Sequence, residues 1–291
     1  INATLATLTY TGDTDVTGLP ADTLTVTTND LGNTGSGGAE EDGDTVSIII
    51  TAVNDAPVLS NLNGAAIYIE DGPSVVLEAS ASVVDPELDA LNGGLGNYSG
   101  AELTLKASAT LFLGTIYSFV DGDGISLVGD QLLKNGQSIG EFDTTSVGGG
   151  LSIVFTSANG ETPTSADVNN IMRRIAYANS SQTPPLSAPI LWTFNDHNSV
   201  LQGTGGAKSV AVASSVSLVA SNDAPQNDMP VSATVLEETT TLLTGLDASD
   251  ADAESSDITV RLQVTAGVLN VTPDGSLVIQ SGANDSADLT L

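Results

Sequence analysis

Carboxylates and carboxamides recur along this sequence at spacings suited to holding a hard cation. Asn54-Asp55 and Asn222-Asp223 each stand directly before an Ala-Pro pair, and an acidic pair follows roughly fifteen residues later, Glu70-Asp71 in one case and Glu237-Glu238 in the other. An acidic run comes next: Asp85-Pro86-Glu87-Leu88-Asp89, or Asp247-Ala248-Ser249-Asp250-Ala251-Asp252. Calcium takes about six to eight oxygen ligands, and Asp-x-Asp spacing lets two carboxylates leave one loop toward the same ion. Without a cation, so many carboxylates packed together repel. Around Asn222-Asp223 the groups expected to converge are Glu70, Asp71, Asp196, Asp250 and Asp252. The matching set for Asn54-Asp55 is Asp30, Asp85, Glu87 and Asp89. The competing reading is that these Asn and Asp residues are turn formers that satisfy nearby backbone N–H groups.

Other chemistries find less support. The sequence holds no cysteine, which excludes disulfides, zinc–thiolate sites and thiol nucleophiles. Its single histidine, His197, sits in Asn195-Asp196-His197-Asn198 with no Gly-x-Ser-x-Gly turn to accompany it, and Leu31 occupies the matching position earlier in the chain. No catalytic residues are assigned, and the chain is read as not being an enzyme. Asp121-Gly122-Asp123-Gly124 opens like a calcium-binding loop, but Leu132 stands where the closing Glu belongs, so a hairpin turn is expected. Arg173 and Arg174 are expected to pair with local carboxylates. A formal charge of −30, from 36 acidic and 6 basic residues, disfavours nucleic acid and anionic membrane surfaces as partners. No apolar run approaches the ~18 residues of a membrane span.

An internal repeat must position these groups. Asp55 and Asp223 lie 168 positions apart by the difference of their numbers. Asn29-Asp30 answers to Asn195-Asp196, Leu8-Thr9-Tyr10 to Ile175-Ala176-Tyr177, and Gly35-Ser36-Gly37-Gly38-Ala39 to Gly203-Thr204-Gly205-Gly206-Ala207. The chain therefore divides into residues 1–55, the C-terminal part of one repeat; 56–224, a complete repeat; and 225–291, the N-terminal part of the next. The middle repeat carries extra loop around Asn92–Gly100 and Gly136–Gly150. Since Leu289-Thr290-Leu291 matches Ile153-Val154-Phe155 and Ile1 matches Val168, neither end piece is expected to be a whole domain.

Strand signals are dense: Thr23–Thr27, Thr45–Val53, Leu151–Phe155, Pro189–Phe194 and Val210–Val219 are rich in β-branched residues, several with period-two alternation. Turn signals separate them at Asp121–Gly124, Lys134-Asn135-Gly136 and Pro273-Asp274-Gly275. Thr164-Ser165-Ala166-Asp167 offers an N-cap, and Val168, Ile171, Met172 and Ile175 follow at helical spacing, which predicts a short helix. Its counterpart at Ile1–Leu8 would be truncated. Trp192, Phe194, Phe155 and Tyr177 are expected in the core.

The Asn-Asp-Ala-Pro linker, the Glu that follows it and the downstream Asp-x-Asp resemble the cadherin calcium pattern. The phrases Ile175-Ala176-Tyr177-Ala178-Asn179, Trp192-Thr193-Phe194-Asn195-Asp196 and Gly203-Thr204-Gly205-Gly206 resemble the cadherin-like repeats of giant bacterial RTX-type adhesins and biofilm-associated surface proteins. The resemblance covers essentially the whole chain. It implies an all-β fold, with tandem Ig/cadherin-like β-sandwich repeats in a linear array and a short helix in each repeat. It further implies a secreted stalk or spacer at the bacterial cell surface, rigidified by Ca2+ at the linkers, whose partners are neighbouring repeats or identical subunits head-to-tail. Two readings stand beside it: a subunit of a self-assembling filament, sheath or surface layer, and a carbohydrate-binding module, for which few aromatics are available. Because Asp85-Pro86-Glu87 departs from Asp-x-Asp, the linker at Asn54-Asp55 is expected to hold fewer ions or to hold them more weakly.

Overall fold

Alternation dictates the central strand of this protein. In Ser187–Asn195 every second side chain (Ala188, Ile190, Trp192, Phe194) is buried, as a strand with one face on a core requires. The computed structural model describes residues 1–291 except 34, 65, 108–113, 146–148, 199–201, 254–255 and 273–277; the turn signal at Pro273-Asp274-Gly275 lies outside the described residues. The chain forms two compact units: residues 1–68, 72–180 and 186–218 make the first, and 69–71, 181–185 and 219–291 the second. The fold is all-β, as the resemblance implies.

In the first unit an eight-stranded sheet runs in the order Ile67–Ile69, Ser209–Val219, Ser187–Asn195, Glu102–Ala107, Leu151–Phe155, Gln137–Asp143, Gln131–Lys134 and Ile125–Val128. A three-stranded sheet, Val75–Val76, Ile175–Asn179 and Thr115–Phe119, and the pair Val58–Ser60 with Ser82–Val84 contribute to the same core. Trp192 is wholly buried, and its indole N–H donates to Ser214 Oγ at 3.0 Å, which removes the penalty of an unpaired buried donor. Tyr177 meets Tyr68 and Tyr117 edge-on at 5.9 and 6.2 Å, and Phe155 lies 6.3 Å from Phe194. Such pairs add roughly 0.5–1.5 kcal/mol each beyond area burial, so a chain with few aromatics concentrates them where they meet.

The predicted helix is Ser165–Met172. Thr164 Oγ1 accepts from Asp167 N at 3.3 Å while the Asp167 carboxylate accepts from Thr164 N at 3.0 Å, a reciprocal cap that satisfies two orphan donors. Val168, Ile171 and Met172 are buried. The helix stops there, and Ile175, expected on its face, opens a strand instead. We expect Thr164→Ala to cost about 1 kcal/mol, read as a lower urea midpoint at unchanged slope.

Three local expectations are corrected. The run Asp85–Asp89 is no loop but the start of a helix, Pro86–Gly94: Asp85 Oδ1 accepts from Leu88 N at 2.9 Å, and Pro86 stands at the first helical position, where a missing N–H costs nothing. Much of the supposed loop at Gly136–Gly150 is the strand Gln137–Asp143, entered through Asn135-Gly136, both in the left-handed region. Arg173 donates to the Ala81 carbonyl at 2.9 Å rather than to a carboxylate, whereas Arg174 does pair with Asp123 at 2.6 Å. Asp121–Gly124 is a turn, as expected, but the strands it joins lie in different sheets; Asp121 accepts from Leu127 N at 2.9 Å.

The end pieces are thinner. Within the first unit, residues 1–55 form a four-residue helix, Asn2–Leu5, and a hairpin of Gly18–Asn29 with Glu41–Ile50. Leu8, Tyr10, Val46 and Ile49 stay exposed beside it. In the second unit, Gln226–Asp228 pairs with Asp247–Ser249 and Arg261–Gln263 with Asp288–Thr290. Leu289 is buried, while Val231, Leu236 and Leu242 are exposed. Among the described residues neither piece closes into a sandwich. Among the described residues no helix is long and apolar enough to cross a membrane.

Candidate metal centres at the two linkers

The first linker is gripped through its backbone. Asn54 N donates to Thr204 O at 2.7 Å and Thr204 N to Ala52 O at 3.0 Å, which makes a short parallel bridge at Val53. Gly203 sits at φ +101°, and a Cβ there would collide with the Ala52 carbonyl, so the Gly-Thr-Gly-Gly run serves close backbone approach. Asn54 itself is buried: its Nδ2 donates to Asp196 Oδ2 at 2.7 Å and to Gly206 O at 3.1 Å, yet its Oδ1 has no hydrogen-bond partner.

Next to this clasp lie the carboxylates. Asp55 N donates to Glu87 Oε2 at 3.0 Å, and oxygens of Asp15, Asp55 and Glu87 all lie within 4.8 Å of one another. Asp85 is fully buried, with Oδ1 on Leu88 N and Oδ2 unpartnered. Its carboxyl is pushed up to about 6, chiefly by burial; the Leu88 N–H opposes this, and the charges of Asp196, Glu87 and Asp89 add to it. Three carboxylates thus cluster where the linker joins the following helix, and Asn54 and Asp85, close to Asp55 and Glu87 in the chain, each keep a buried oxygen without a hydrogen-bond partner.

At the second linker Glu70 is buried, its Oε2 accepting from Ser221 N at 2.8 Å and its Oε1 unpartnered. Asp71, in the left-handed region, accepts from Gln182 Nε2 at 3.3 Å. Asp223 N donates to Asp252 Oδ2, while Asp223 Oδ2 is buried without a partner. Burial raises the Asp223 carboxyl, and Asp252, Asp71 and Asp250 raise it further. Asp250 Oδ1 accepts from Asp252 N and Ala253 N at 2.9 and 3.0 Å.

The two linkers superpose in role. Glu87 does for Asp55 N what Asp252 does for Asp223 N, and Asp85 and Asp250 each cap the chain that follows. Asp-Pro-Glu is therefore the equivalent of Asp-x-Asp with one methylene more, and the geometry gives no ground for ranking the first linker below the second.

Other assignments move. Asp196, expected at Asn222-Asp223, is joined to Asn54. Asp30 bonds within its own loop rather than at Asn54-Asp55. Asp89 is occupied by Tyr98 Oη at 2.8 Å, Ser165 Oγ and Asp85 N, and so fixes the helix start instead of facing an ion. Asn222 is exposed, with Nδ2 on Asp223 O at 2.8 Å. Asp15 was not anticipated; the signal was its place five residues past Tyr10, matching Gln182 past Tyr177. His197 is half-exposed and lies 3.2 Å from Glu102.

The chain matches no protein-family model and no curated protein. Among solved structures it is similar to a protocadherin gammaB7 structure of the EC3-6 cis-dimer, at 16% identity and a TM-score of 0.31, over 92% of this chain and 49% of that one. The chain thus spans about half the length of that protein chain.

Proposed function

We propose that this chain is a structural, non-catalytic segment of cadherin-like repeats in a large extracellular bacterial adhesin or matrix protein, and that calcium at both linkers fixes each repeat to the next. The observation that carries the reading is the set of buried oxygens without hydrogen-bond partners: Asn54 Oδ1 and Asp85 Oδ2 at the first linker, Glu70 Oε1 and Asp223 Oδ2 at the second. Buried acceptors are ordinarily satisfied, and an unpaired one costs about 1–3 kcal/mol. An all-oxygen, mostly anionic donor set suits a hard cation, and its irregular spread over several segments suits calcium better than strictly octahedral magnesium. Asp15, Asn54, Asp55, Asp85 and Glu87 would hold the ion at one linker; Glu70, Asp71, Asp223, Asp250 and Asp252 would hold it at the other.

Among the described residues no Lys or Arg forms an ion pair with these carboxylates, so bound calcium would supply the compensating positive charge. Extracellular modules bind in the range of about 10⁻⁴–10⁻³ M, which matches a millimolar calcium environment. Calorimetric titration should show uptake in that range. Glu70→Gln is expected to weaken binding at the second linker only, and Asp85→Asn at the first only. No heat of binding at ~10 mM calcium would defeat the proposal.

A further inference from the structure

We infer that Asp89, which lies outside the proposed ligand set, is the residue that positions Asp85 and Glu87 for calcium at the first linker. This rests on the calcium reading and extends it to a residue that touches no ion. Asp85 is held at nearly every polar atom. Its N–H donates to Asp89 Oδ2 at 3.2 Å, its carbonyl accepts from Asp89 N at 2.9 Å, and its Oδ1 accepts from Leu88 N at 2.9 Å. Only Oδ2 is left, buried and without a partner. Asp89 supplies two of these three restraints, and so governs where the remaining oxygen is offered. Glu87 lies between the two on the first turn of the helix Pro86–Gly94, with Oε2 on Asp55 N.

What anchors Asp89 belongs to the core and not to the linker. Its Oδ1 accepts from Tyr98 Oη at 2.8 Å and from Ser165 Oγ. Both anchors are themselves fixed. Tyr98 is wholly buried, its N–H donates to the Pro163 carbonyl at 3.0 Å, and its ring meets Phe194 edge-on at 5.9 Å. Ser165 opens the helix Ser165–Met172, and its N–H donates to the Leu95 carbonyl at 3.1 Å. Gly96, at φ +84°, permits the close approach, since a Cβ there would collide with Ser165 Oγ and N. Through Tyr98 and Ser165, Asp89 ties the carboxylate segment of the linker to the packed sandwich.

Stability alone is a poor reason for a charge at this place. Asp85 and Asp89 stand one helical turn apart, a spacing at which like charges repel, and the Asp89 charge is among those that push the Asp85 carboxyl up. The carboxylate is nevertheless required by the pattern of donors it serves. One oxygen receives two O–H groups and the other an N–H. Asparagine has a single acceptor oxygen, so its NH2 would be set against one of those donors. A cation beside Asp85 offsets the repulsion. Groups that hydrogen-bond to metal ligands in this way fix the ligands' orientation, and their loss weakens metal binding without removing a ligand.

The test is calorimetric calcium titration of the full chain carrying Glu70→Gln, so that uptake at the first linker dominates, with urea unfolding in chelator run on the same proteins. Adding Asp89→Asn should weaken first-linker affinity at least about tenfold. Tyr98→Phe removes one anchor, leaves the Asp89 contact with Asp85 in place, and should weaken affinity roughly two- to tenfold. It decides the question even where Asp89→Asn does not fold. On an Asp85→Asn background neither change should alter uptake at the second linker. A lower urea midpoint with unchanged calcium affinity would make Asp89 a structural tie only and overturn the proposal, as would equal losses at both linkers. No uptake by the Glu70→Gln parent would instead remove the calcium reading at this linker, and the role of Asp89 with it.

Discussion

Apparent calcium affinity at the first linker should fall about tenfold between pH 7 and pH 5, because the ion and a proton compete for Asp85. The Asp85 carboxyl titrates at about 6 in the metal-free protein, raised by burial and then by Asp196, Glu87 and Asp89. One unit above that value it is mostly ionised; one unit below, it is mostly protonated, and calcium must displace the proton. The sign for stability follows the same logic. A carboxyl raised on folding favours the folded chain most below its unfolded value near 3.9, and that advantage is lost as pH rises through about 6. Calcium reverses this by compensating the ionised form, adding about 2.7 kcal/mol per site at a hundredfold excess over its dissociation constant. Titrations at the two pH values, in buffers of different ionisation heat, should show proton release at pH 5, and Asp85→Asn should flatten the dependence. Equal affinities at both pH values would show that Asp85 does not face the ion.

Asn54→Ala should destabilise the first unit by about 2–3 kcal/mol, whereas Asn222→Ala in dilute protein should change stability by less than about 0.5 kcal/mol. The two residues occupy the same place in the repeat but different surroundings. Asn54 donates to the Asp196 carboxylate and to the Gly206 carbonyl, so its loss leaves a buried anionic oxygen without a donor, close to Asp85, whose carboxyl the Asp196 charge raises. Asn222 is exposed and holds only its neighbour's carbonyl. Urea unfolding of the two variants separates these cases; equal losses would mean that the repeat, and not the local partners, sets the cost.

Much of this architecture was legible in the sequence because it depends on local pattern. The reciprocal cap at Thr164 and Asp167, the alternation that buries Trp192 and Phe194, and the recurrence of Asn-Asp-Ala-Pro needed no tertiary information. The misplaced carboxylates Asp196 and Asp30 share one cause: a repeat shows which residues are equivalent, not at which end of a sandwich they stand. Ser209–Val219 pairs antiparallel with Ser187–Asn195 and is eleven residues long, so it carries the loop that begins at Asp196 roughly 35 Å along the sheet from Val219. That loop must meet the arriving linker, Asn54, and not the departing one. The same rule moves Asp30 away from Asn54-Asp55. Asp85-Pro86 was readable as a helix start from its own chemistry, but the density of carboxylates directed attention to metal binding instead. The strand Gln137–Asp143 escaped because it buries Ser138 and Gly140 alongside Ile139 and Phe142, which blurs the alternation.

The linkers are held by groups that do not read side chains. A carboxylate from the segment that follows takes the backbone N–H of Asp55 or Asp223, and Thr204 meets Ala52 and Asn54 through main-chain atoms. Apart from the Asn itself, nothing in that grip depends on which repeat supplies the linker. Unequal crossing-over between the copies, removing or adding one period of 168 positions, would rejoin surfaces that already fit. In a longer array of the proposed kind, length could then change by whole periods without any new junction having to arise.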